Sequence, residues 1–537
     1  MKKSLLIACL AMIMIMPGFS DDKTKVNYQR IIALDSEIYF LLDFVTAESG
    51  RSLTSAIRPY SEAEVLNILG GLDFSRLSEA GNAAVNRIEM LMEKKLVLSE
   101  DNVAIQVGVE AALELYLHSS TDEALWDYGY EERIPIFSLP VEVWFNDGFY
   151  AFMENSIEYS RFKITDVDGD GNYIGNLTNI PLTFGDINYH FPQRAFLSAG
   201  GENWNFQIGR EQLEYGSGES GKLLLSSYAD YYDMMKLKGF TDNFAFTWTY
   251  VNLQSWGFDG SASASQRAFV DHVVESRFFD ILTIYLNESI ILYDTDAQLQ
   301  FVNPLLLYHN LFIRENANSL LAVGFSLVPL PGITLYGEYA LDQLQTGLEQ
   351  ELYGAAVTAT PNADGHMLGV KASYPLGPGY LSGFFEYIYT SPWLYLRSPS
   401  EVSFYWLHRE STDVLKARVN VIKPLGYEYG PDSIAFSAEA GYIVPGVFSA
   451  SFSADFIMNG ENTIETVYTE GAEAALMTTP TGIPENRLIL SLCGVYEFFP
   501  FLSAQMNLAY VDIYNYEHVS GAAASDFQSA LSLIFKI

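Results

Sequence analysis

From residue 103 to the end of the chain, apolar and polar residues alternate at every second position in segment after segment. Between residues 448 and 456, for example, phenylalanine and alanine occupy one face while serine and aspartate occupy the other. A period of two indicates β-strands, because successive side chains of a strand point to opposite sides of the sheet. The sequence therefore predicts an all-β domain over residues 101–537, built from strands whose two faces meet different surroundings.

The two faces of these strands suit a membrane better than a soluble sandwich. The apolar faces recur from hairpin to hairpin, and aromatic residues make up 14% of the chain. Beyond the N-terminal segment no run of about 18 apolar residues could form a membrane-spanning helix. A barrel places lipid outside and water inside, which is what such alternation requires. We predict an antiparallel transmembrane β-barrel.

The connections between the strands alternate in length. Tight turns, as at 146–148 and 200–201, alternate with long polar segments near residues 164–192, 213–231, 296–317, 343–363 and 459–486. Short periplasmic turns and long extracellular loops are expected of outer-membrane barrels, and counting along this alternation gives about 20 strands. The last segment, residues 531–537, is amphipathic, so it can close the barrel. It also resembles the terminal signal read by the outer-membrane insertion machinery.

The first hundred residues follow other patterns. Lysines followed by an apolar run predict a secretory signal peptide over residues 1–20. Residues 21–100 carry apolar positions at helical spacing, with Asp35 as an expected N-cap and Ser61 and Glu64 as a capping box. We predict a small periplasmic helical bundle there. It should dock on the barrel, because so short a segment buries too small a core to be stable alone.

Charge and residue content exclude several classes of function. The net charge of −36 disfavours nucleic acid as a partner, because like charges repel. Removal of the signal peptide leaves Cys493 as the single cysteine, so no internal disulfide can form. The seven histidines are scattered, and no G-x-S-x-G motif is present. The sequence therefore predicts a protein that is not an enzyme.

One segment has the beginning of a calcium-binding loop. Asp166, Asp168 and Asp170 followed by glycine match the D-x-D-x-D-G pattern, in which alternating carboxylates converge on a cation. Leu177 stands at the twelfth position, where a bidentate acid is expected. The segment is therefore either a weak calcium site or an acidic turn in an outer loop, and the sequence implies no other cofactor.

The stretch from residue 204 to residue 227 resembles the Wzi capsule-assembly family of outer-membrane proteins. The shared pattern is a strand ending in Gly209 and Arg210, then an aromatic residue, a glycine-rich turn and a Leu-Leu-Leu-Ser run, with Tyr215 where the family has tryptophan. The similarity extends to residues 191–194, 287–288, 303–304 and 430–432. The resemblance implies eighteen strands and polysaccharide binding without catalysis. It also implies a helical domain at the periplasmic end that helps to occlude the lumen.

Several charged and aromatic residues are candidates for ligand binding. We expect the charged ones to face the lumen, because an ionised side chain facing lipid costs about 2–4 kcal/mol. There they either pair with one another as a polar plug or line a path for a saccharide or solute. The tyrosines can stack on sugar rings or belong to the interfacial aromatic girdle. The candidates are Arg194, Arg210, Glu211, Glu214, Tyr215, Tyr228, Tyr231 and Glu288.

Two functions follow from these patterns. The first is a barrel in the outer membrane of a diderm bacterium that binds or anchors a surface polysaccharide, as the resemblance implies. Its acidic loops require a neutral glycan or one held through a divalent cation. The second is a porin or uptake channel whose lumen carboxylates favour cations. In both cases the partner is outer-membrane lipid, the chain is expected to be a monomer, and the long loops are extracellular.

Overall fold

The computed structural model describes residues 27–100, 102–129, 131–158, 177–181, 187–188, 192–253, 266–294, 303–308, 316–344, 361–411, 418–470, 474 and 477–537. The predicted signal peptide and the predicted calcium ligands Asp166, Asp168 and Asp170 lie outside these residues. Within them, eighteen antiparallel strands close into one barrel that follows an N-terminal helical region. The predicted fold class is confirmed. The strand number is the one implied by the family resemblance, not the larger one counted from the alternation.

In chain order, strand β1 consists of two halves, Val103–Val107 and Glu110–His118, which both pair with β2. The remaining strands are β2 (Phe137–Phe145), β3 (Phe149–Ile157), β4 (Arg194–Gly200), β5 (Trp204–Glu211), β6 (Tyr232–Phe240), β7 (Phe244–Leu253), β8 (Arg267–Phe278), β9 (Leu282–Tyr293), β10 (Ala317–Leu330), β11 (Ile333–Gln343), β12 (Ala363–Leu376), β13 (Gly379–Thr390), β14 (Ser433–Val444), β15 (Phe448–Asn459), β16 (Glu485–Phe499), β17 (Leu502–Tyr514) and β18 (Ala523–Lys536). Each strand pairs with its neighbour in sequence.

The last strand closes the barrel against the first. β18 pairs with the second half of β1, from Lys536 opposite Glu110 to Gln528 opposite His118. Beyond this ladder the backbone of Ile537 exchanges hydrogen bonds of 2.9 and 3.0 Å with Val109. A short strand, Leu98–Glu100, then pairs with the first half of β1 where β18 has ended. Closure gives partners to both edges of the sheet, as an apolar surrounding demands.

The alternation predicted from the sequence separates the two sides of the wall. On β15 the side chains of Phe448, Phe452 and Phe456 lie on the outer face and are 38%, 51% and 39% exposed. The serines between them face the lumen and are half-buried. The outer face is therefore apolar and accessible to lipid, while the inner face is polar.

Three α-helices precede the barrel: α1 (Ile38–Glu48), α2 (Glu62–Gly70) and α3 (Glu79–Met92). No helix in the described part of the chain has the length and apolar character needed to cross a membrane. Ser61 accepts a hydrogen bond from the backbone N–H of Glu64, so the predicted capping box begins α2. The predicted N-cap Asp35 is wrong, because α1 begins at Ile38 and its N-cap makes no side-chain hydrogen bond.

The helical region enters the barrel from the end that carries the tight turns. The backbone N–H of Ser52 donates to the carbonyl of Asp280 in the β8–β9 turn, at 2.9 Å. Arg51 forms an ion pair with Asp242 in the β6–β7 turn, at 3.0 Å. Arg87 of α3 pairs with Glu497 near the same end of β16. The helices therefore close part of the tight-turn end.

Buried charges anchor the helical region to the wall. Lys238 of β6 donates to the carboxylate of Glu64 at 2.5 Å, to the hydroxyl of Ser55 at 2.9 Å and to the carbonyl of Ile57 at 2.8 Å. The carboxylate of Glu275 on β8 accepts from the Ser55 hydroxyl at 2.6 Å. Because both partners of the Lys238–Glu64 pair are almost fully buried, removal of either leaves an uncompensated charge.

The first prediction concerns this anchor. In Lys238→Met the buried Glu64 carboxylate loses its partner, which typically costs about 3–5 kcal/mol. We expect faster hydrogen exchange at the amides of α1 and α2 and unchanged exchange in β14–β18. Arg76→Ala is the matched control, because it removes an exposed ion pair with Asp73 that contributes about 0–1 kcal/mol. Equal exchange in the two variants would contradict the anchoring role.

Candidate functional site

The lumen has a filled side along β5–β13, and the apolar core inside it extends to β14–β17 away from the tight turns. Residues 213–231, the long connection that the sequence placed in an outer loop, fold inward into this side. Within this segment Glu214–Tyr215 pairs with Ile57–Arg58 as a two-stranded sheet inside the barrel. An apolar core forms around it from buried residues of the segment 213–231, the connection after β13 and the wall. It includes Leu213, Tyr215, Leu223, Leu225, Tyr395 and Phe404.

The glycine-rich part of this segment is packed against charged residues of the wall. The backbone N–H groups of Glu219 and Ser220 donate to the carboxylate of Glu386 at 2.8 and 3.0 Å. Lys371 joins Glu219, at 2.6 Å, to Asp43 of α1, at 2.9 Å. At Gly218 a side chain would meet the carbonyl oxygen of Gly221 at 2.0 Å, so glycine is needed for this close packing.

Two of the predicted site residues form a buried ion pair in the lumen. Arg194 of β4 donates to both carboxylate oxygens of Glu211 on β5, at 2.7 and 2.6 Å. The guanidinium also lies 4.5 Å from the ring centroid of Phe152. Both side chains are almost fully buried. Their geometry supports the interpretation that they stiffen the barrel.

Arg210 and Glu288 were expected to face the lumen, and this expectation is wrong for both. Arg210 follows Gly209 and precedes Glu211, so the period of two sends it to the outer wall, where its Nε lies 3.1 Å from Asp233. Glu288 follows Asn287, whose amide contacts Asp271 inside the barrel, and so it also points outward. The sequence analysis placed both charges on strands correctly, but it assigned them to the inner face of the wall instead of the outer face.

The remaining predicted residues lie in the segment that fills the lumen. The hydroxyl of Tyr215 is fully buried against Thr249, and Glu214 accepts from the hydroxyl of Ser227 at 2.7 Å. Tyr231 is half-buried. Tyr228 is the most exposed of the four at 40%, but the ammonium of Lys423 lies 4.3 Å from its ring centroid. These contacts hold the segment 213–231 in place, and the four residues do not converge on one cavity.

The lumen also has an open side, bounded by β14–β18. From the tight-turn end to about the middle of the barrel, its inward residues on β15–β17 are mostly small or polar and partly exposed: Ser449, Ser451, Ser453, Asp455, Cys493, Val495, Glu497, Ser503, Gln505 and Asn507. Closer to the opposite end, the inward Ile457, Ile489, Val511 and Ile513 are buried in the apolar core. Solvent therefore reaches the wall over the half of the open side nearer the tight turns.

A cavity of about 250 Å³ lies on the open side, between the connection 119–136 and the wall of β1 and β16–β18. It is the candidate functional site. Its lining combines aromatic rings, carboxylates and neutral amides: Tyr116, Tyr128, Asp127, Glu132, Asn507 and Gln528. Such a mixture offers flat apolar faces beside hydrogen-bonding groups, which is the usual character of a small-molecule site.

Side chains of β1 and β18 hold the connection in place over the cavity. The amide oxygen of Gln528 accepts from the backbone N–H groups of Asp127 and Tyr128, both at 3.0 Å. Asp526 accepts from the N–H of Ser120 at 2.6 Å. These bonds turn residues 119–128 inward, so the connection becomes part of the lumen wall.

Glu114 orients the two tyrosines of the cavity. Its carboxylate accepts from the hydroxyls of Tyr128, at 2.9 Å, and of Tyr116, and also from Ser532 at 2.7 Å. The ring centroids of the tyrosines lie 5.9 Å apart. Tyr116 is buried beneath the Arg133 guanidinium, 4.5 Å from its ring centroid, whereas the half-buried Tyr128 remains partly accessible in the cavity.

The carboxyls around the cavity hold their protons unusually strongly. Partial desolvation by the surrounding protein raises the pKa of Asp127 and of Glu132, although both side chains are exposed to the lumen solvent. For Glu132 the neighbouring Glu131 adds to the shift. Burial, followed by Asp127 and Asp455, raises the pKa of Glu428 to about 7. In the described part of the chain no three acidic, histidine or cysteine side chains are placed to hold a metal ion.

Sequence reasoning missed this cavity. The run W-D-Y-G-Y-E-E at residues 126–132 mixes rings and acids, and it was the available signal. The contacts that turn it inward come from Gln528 and Asp526, which lie about four hundred positions further along the chain. Only closure of the barrel brings these groups together.

No family model matches the chain, and no curated protein matches it either. Among solved structures it is similar to Wzi of Escherichia coli, an outer membrane protein involved in group 1 capsule assembly and described as a carbohydrate-binding β-barrel. The TM-score is 0.59 at 12% identity, covering 94% of this chain and 99% of that one. OccD3 of Pseudomonas aeruginosa has a TM-score of 0.39 at 12% identity, covering 81% and 91%. OmpT of Vibrio cholerae has 0.35 at 10%, covering 82% and 100%.

The similarity to Wzi extends over nearly the whole of both chains, and it includes the closed eighteen-stranded barrel with its N-terminal helical region. The chain therefore has a Wzi-like fold.

Proposed function

We propose that this protein is a non-catalytic outer-membrane barrel that binds a surface polysaccharide in its lumen. The cavity lined by Tyr116, Tyr128, Asn507 and Gln528 is the observation that carries the proposal. Sugar rings pair apolar C–H faces with hydroxyls, and this lining offers aromatic faces beside amide and carboxyl groups. The Wzi-like fold supports the same function, because the Wzi structure is described as carbohydrate-binding.

The proposal includes an arrangement in the cell. Residues 1–20 are the signal peptide, residues 21–100 form the periplasmic helical domain, and residues 101–537 form the barrel. The end of the barrel that carries the long connections faces the cell exterior, and the cavity lies beneath one of them, the connection 119–136. The insertion machinery recognises the C-terminal strand, and the protein functions as a monomer that does not bind nucleic acid.

A second function, solute passage, is favoured by the open side of the lumen. Partly exposed residues line β15–β17 from the tight-turn end to about the middle of the barrel, as one half of a water-filled path would require. Beyond them, however, the inward Ile457, Ile489, Val511 and Ile513 are buried in the apolar core. The path therefore does not continue to the opposite end, and so we place binding before transport.

The second prediction tests the cavity. Tyr128→Ala should weaken binding of the intact barrel to its glycan about tenfold, because an aromatic contact contributes about 0.5–1.5 kcal/mol. Binding is measured on an array of bacterial surface polysaccharides, with and without calcium. Tyr510→Ala is the matched control, since Tyr510 is 41% exposed on the outer wall. Equal affinity in both variants, or no glycan bound by the native protein under either condition, would overturn the assignment.

The third prediction uses the carboxyl groups. Their raised pKa values mean that Asp127, Glu132 and Glu428 become neutral at a higher pH than free carboxyls do. Without divalent cations, binding of an acidic polysaccharide should therefore strengthen as the pH falls through about 7, the pKa of Glu428. Above pH 7, Glu428→Gln should bind the acidic polysaccharide as strongly as the native protein does below pH 7. A flat pH profile in the native protein would contradict this.

The fourth prediction separates binding from transport. In planar bilayers the native protein should conduct little, because buried residues of the apolar core close the lumen beyond the open side. Neither Arg87→Ala, which removes the ion pair at the tight-turn end, nor Arg76→Ala, which removes an exposed ion pair of the same region, should raise the conductance. A large, stable, cation-selective conductance of the native protein would favour the channel instead.

A further inference from the structure

The outer wall of the barrel carries a histidine–carboxylate pair at a depth where lipid is expected. His272 lies between Asp271 and the inward Val273, so it points outward, and its Nε2 is 3.1 Å from the outward carboxylate of Glu288. His272 precedes the tight-turn end of β8, Phe278, by six residues, and Glu288 follows the start of β9, Leu282, by six. Six residues of a tilted strand rise roughly 15 Å, which is near the middle of an apolar band about 25 Å tall.

Polar side chains at this depth need a cover. Residues 303–308, which we call the strap, run over the pair and supply one. The backbone N–H of Tyr308 donates to Glu288 at 3.0 Å, and its ring stacks on His272 with centroids 4.8 Å apart. Tyr308 is fully buried, and Leu306 packs beside it on the outer cluster of Trp248, Val270, Ile290 and Leu292. The strap therefore shields the His272–Glu288 pair on the outside of the barrel.

The other face of the strap is apolar and exposed. Leu305 is 79% exposed and Leu307 is 62% exposed, and neither contacts the wall cluster. The wall beside the strap is apolar too, with Leu286 at 56% and Leu321 at 45% exposure. The two leucines thus continue the lipid-facing surface across the place where the wall itself is polar.

The backbone of the strap is also suited to an apolar medium. The N–H of Leu305 donates to the side-chain oxygen of Asn303 at 3.1 Å, and the N–H of Leu306 donates to the Asn303 carbonyl at 3.2 Å. The N–H of Tyr308 is held by Glu288. Non-strand backbone is tolerated at membrane depth only when its polar groups find partners in the protein. Three backbone N–H groups of the strap find such partners in Asn303 and Glu288.

We propose that the strap lies in the apolar layer of the membrane, with Leu305 and Leu307 in contact with lipid acyl chains and Leu306 and Tyr308 covering the His272–Glu288 pair beneath. The occupant of the exposed face is lipid, because the surface on both sides of the strap is the lipid-facing wall. This inference does not depend on whether the lumen binds a glycan.

Fluorescence quenching by brominated lipids tests the proposal. In a Cys493→Ser background, single cysteines replace Leu305 or Leu307 in the full barrel and carry a bimane label. The protein is reconstituted in phosphatidylcholine vesicles with plain or brominated acyl chains. Leu286→Cys on the outer wall is the positive control, and Val467→Cys, 75% exposed in the long connection 460–484, is the negative control.

We expect labels at 305 and 307 to lose emission to brominated lipid as the label at 286 does, and to resist aqueous iodide. Quenching by iodide but not by brominated lipid, as expected at 467, would overturn the proposal. The protein-to-lipid ratio distinguishes lipid from a second copy of the chain. Lipid contact predicts the same quenching at every ratio, whereas loss of quenching at high protein density would show that another barrel covers the strap. Folding of each variant is verified by the heat-dependent gel mobility of the closed barrel.

Discussion

A barrel of eighteen strands encloses more space than the side chains of its own wall can fill. Eight strands are filled by side chains alone, whereas sixteen to eighteen leave an aqueous channel unless something else enters. In this protein the segment 213–231, the residues around Ile57 and the connection after β13 build an apolar core inside the barrel, while α1 and α2 pack in a separate cluster. These elements leave the tight-turn half of β15–β17 unfilled, where inward residues remain partly exposed. The division of the lumen into a filled and an open side determines where a ligand can bind.

The candidate cavity on the open side is not formed by the wall alone. A bare wall of serine and alanine offers little to recognise, and the rings and acids come from the connection 119–136, turned inward by Gln528 and Asp526. A similar arrangement occurs outside the barrel, where the strap covers the His272–Glu288 pair. In both places a segment outside the strands supplies side chains that the alternating faces of a strand do not provide.

The alternation of the sequence was enough to predict the antiparallel barrel, its closure by the C-terminal strand and the helices before it, because each depends on local periodicity. The candidate site was not predictable in this way. Arg210 and Glu211 are adjacent, so only one of them can face the lumen, and the choice depends on the register of β5 with β4 and β6. The inward course of residues 213–231 depends on Glu386 and Lys371, which lie far along the chain. Such contacts exist only after the barrel has closed.

The accessibility of Cys493 tests the division of the lumen most directly. Its side chain is half-buried on the open side, where it lines the cavity, and it is the free cysteine of the described residues. In the lipid-embedded native barrel a charged, membrane-impermeant thiol reagent should modify Cys493 without unfolding. Modification that requires denaturation would show that the open side is filled, and it would remove the basis for ligand binding in the lumen.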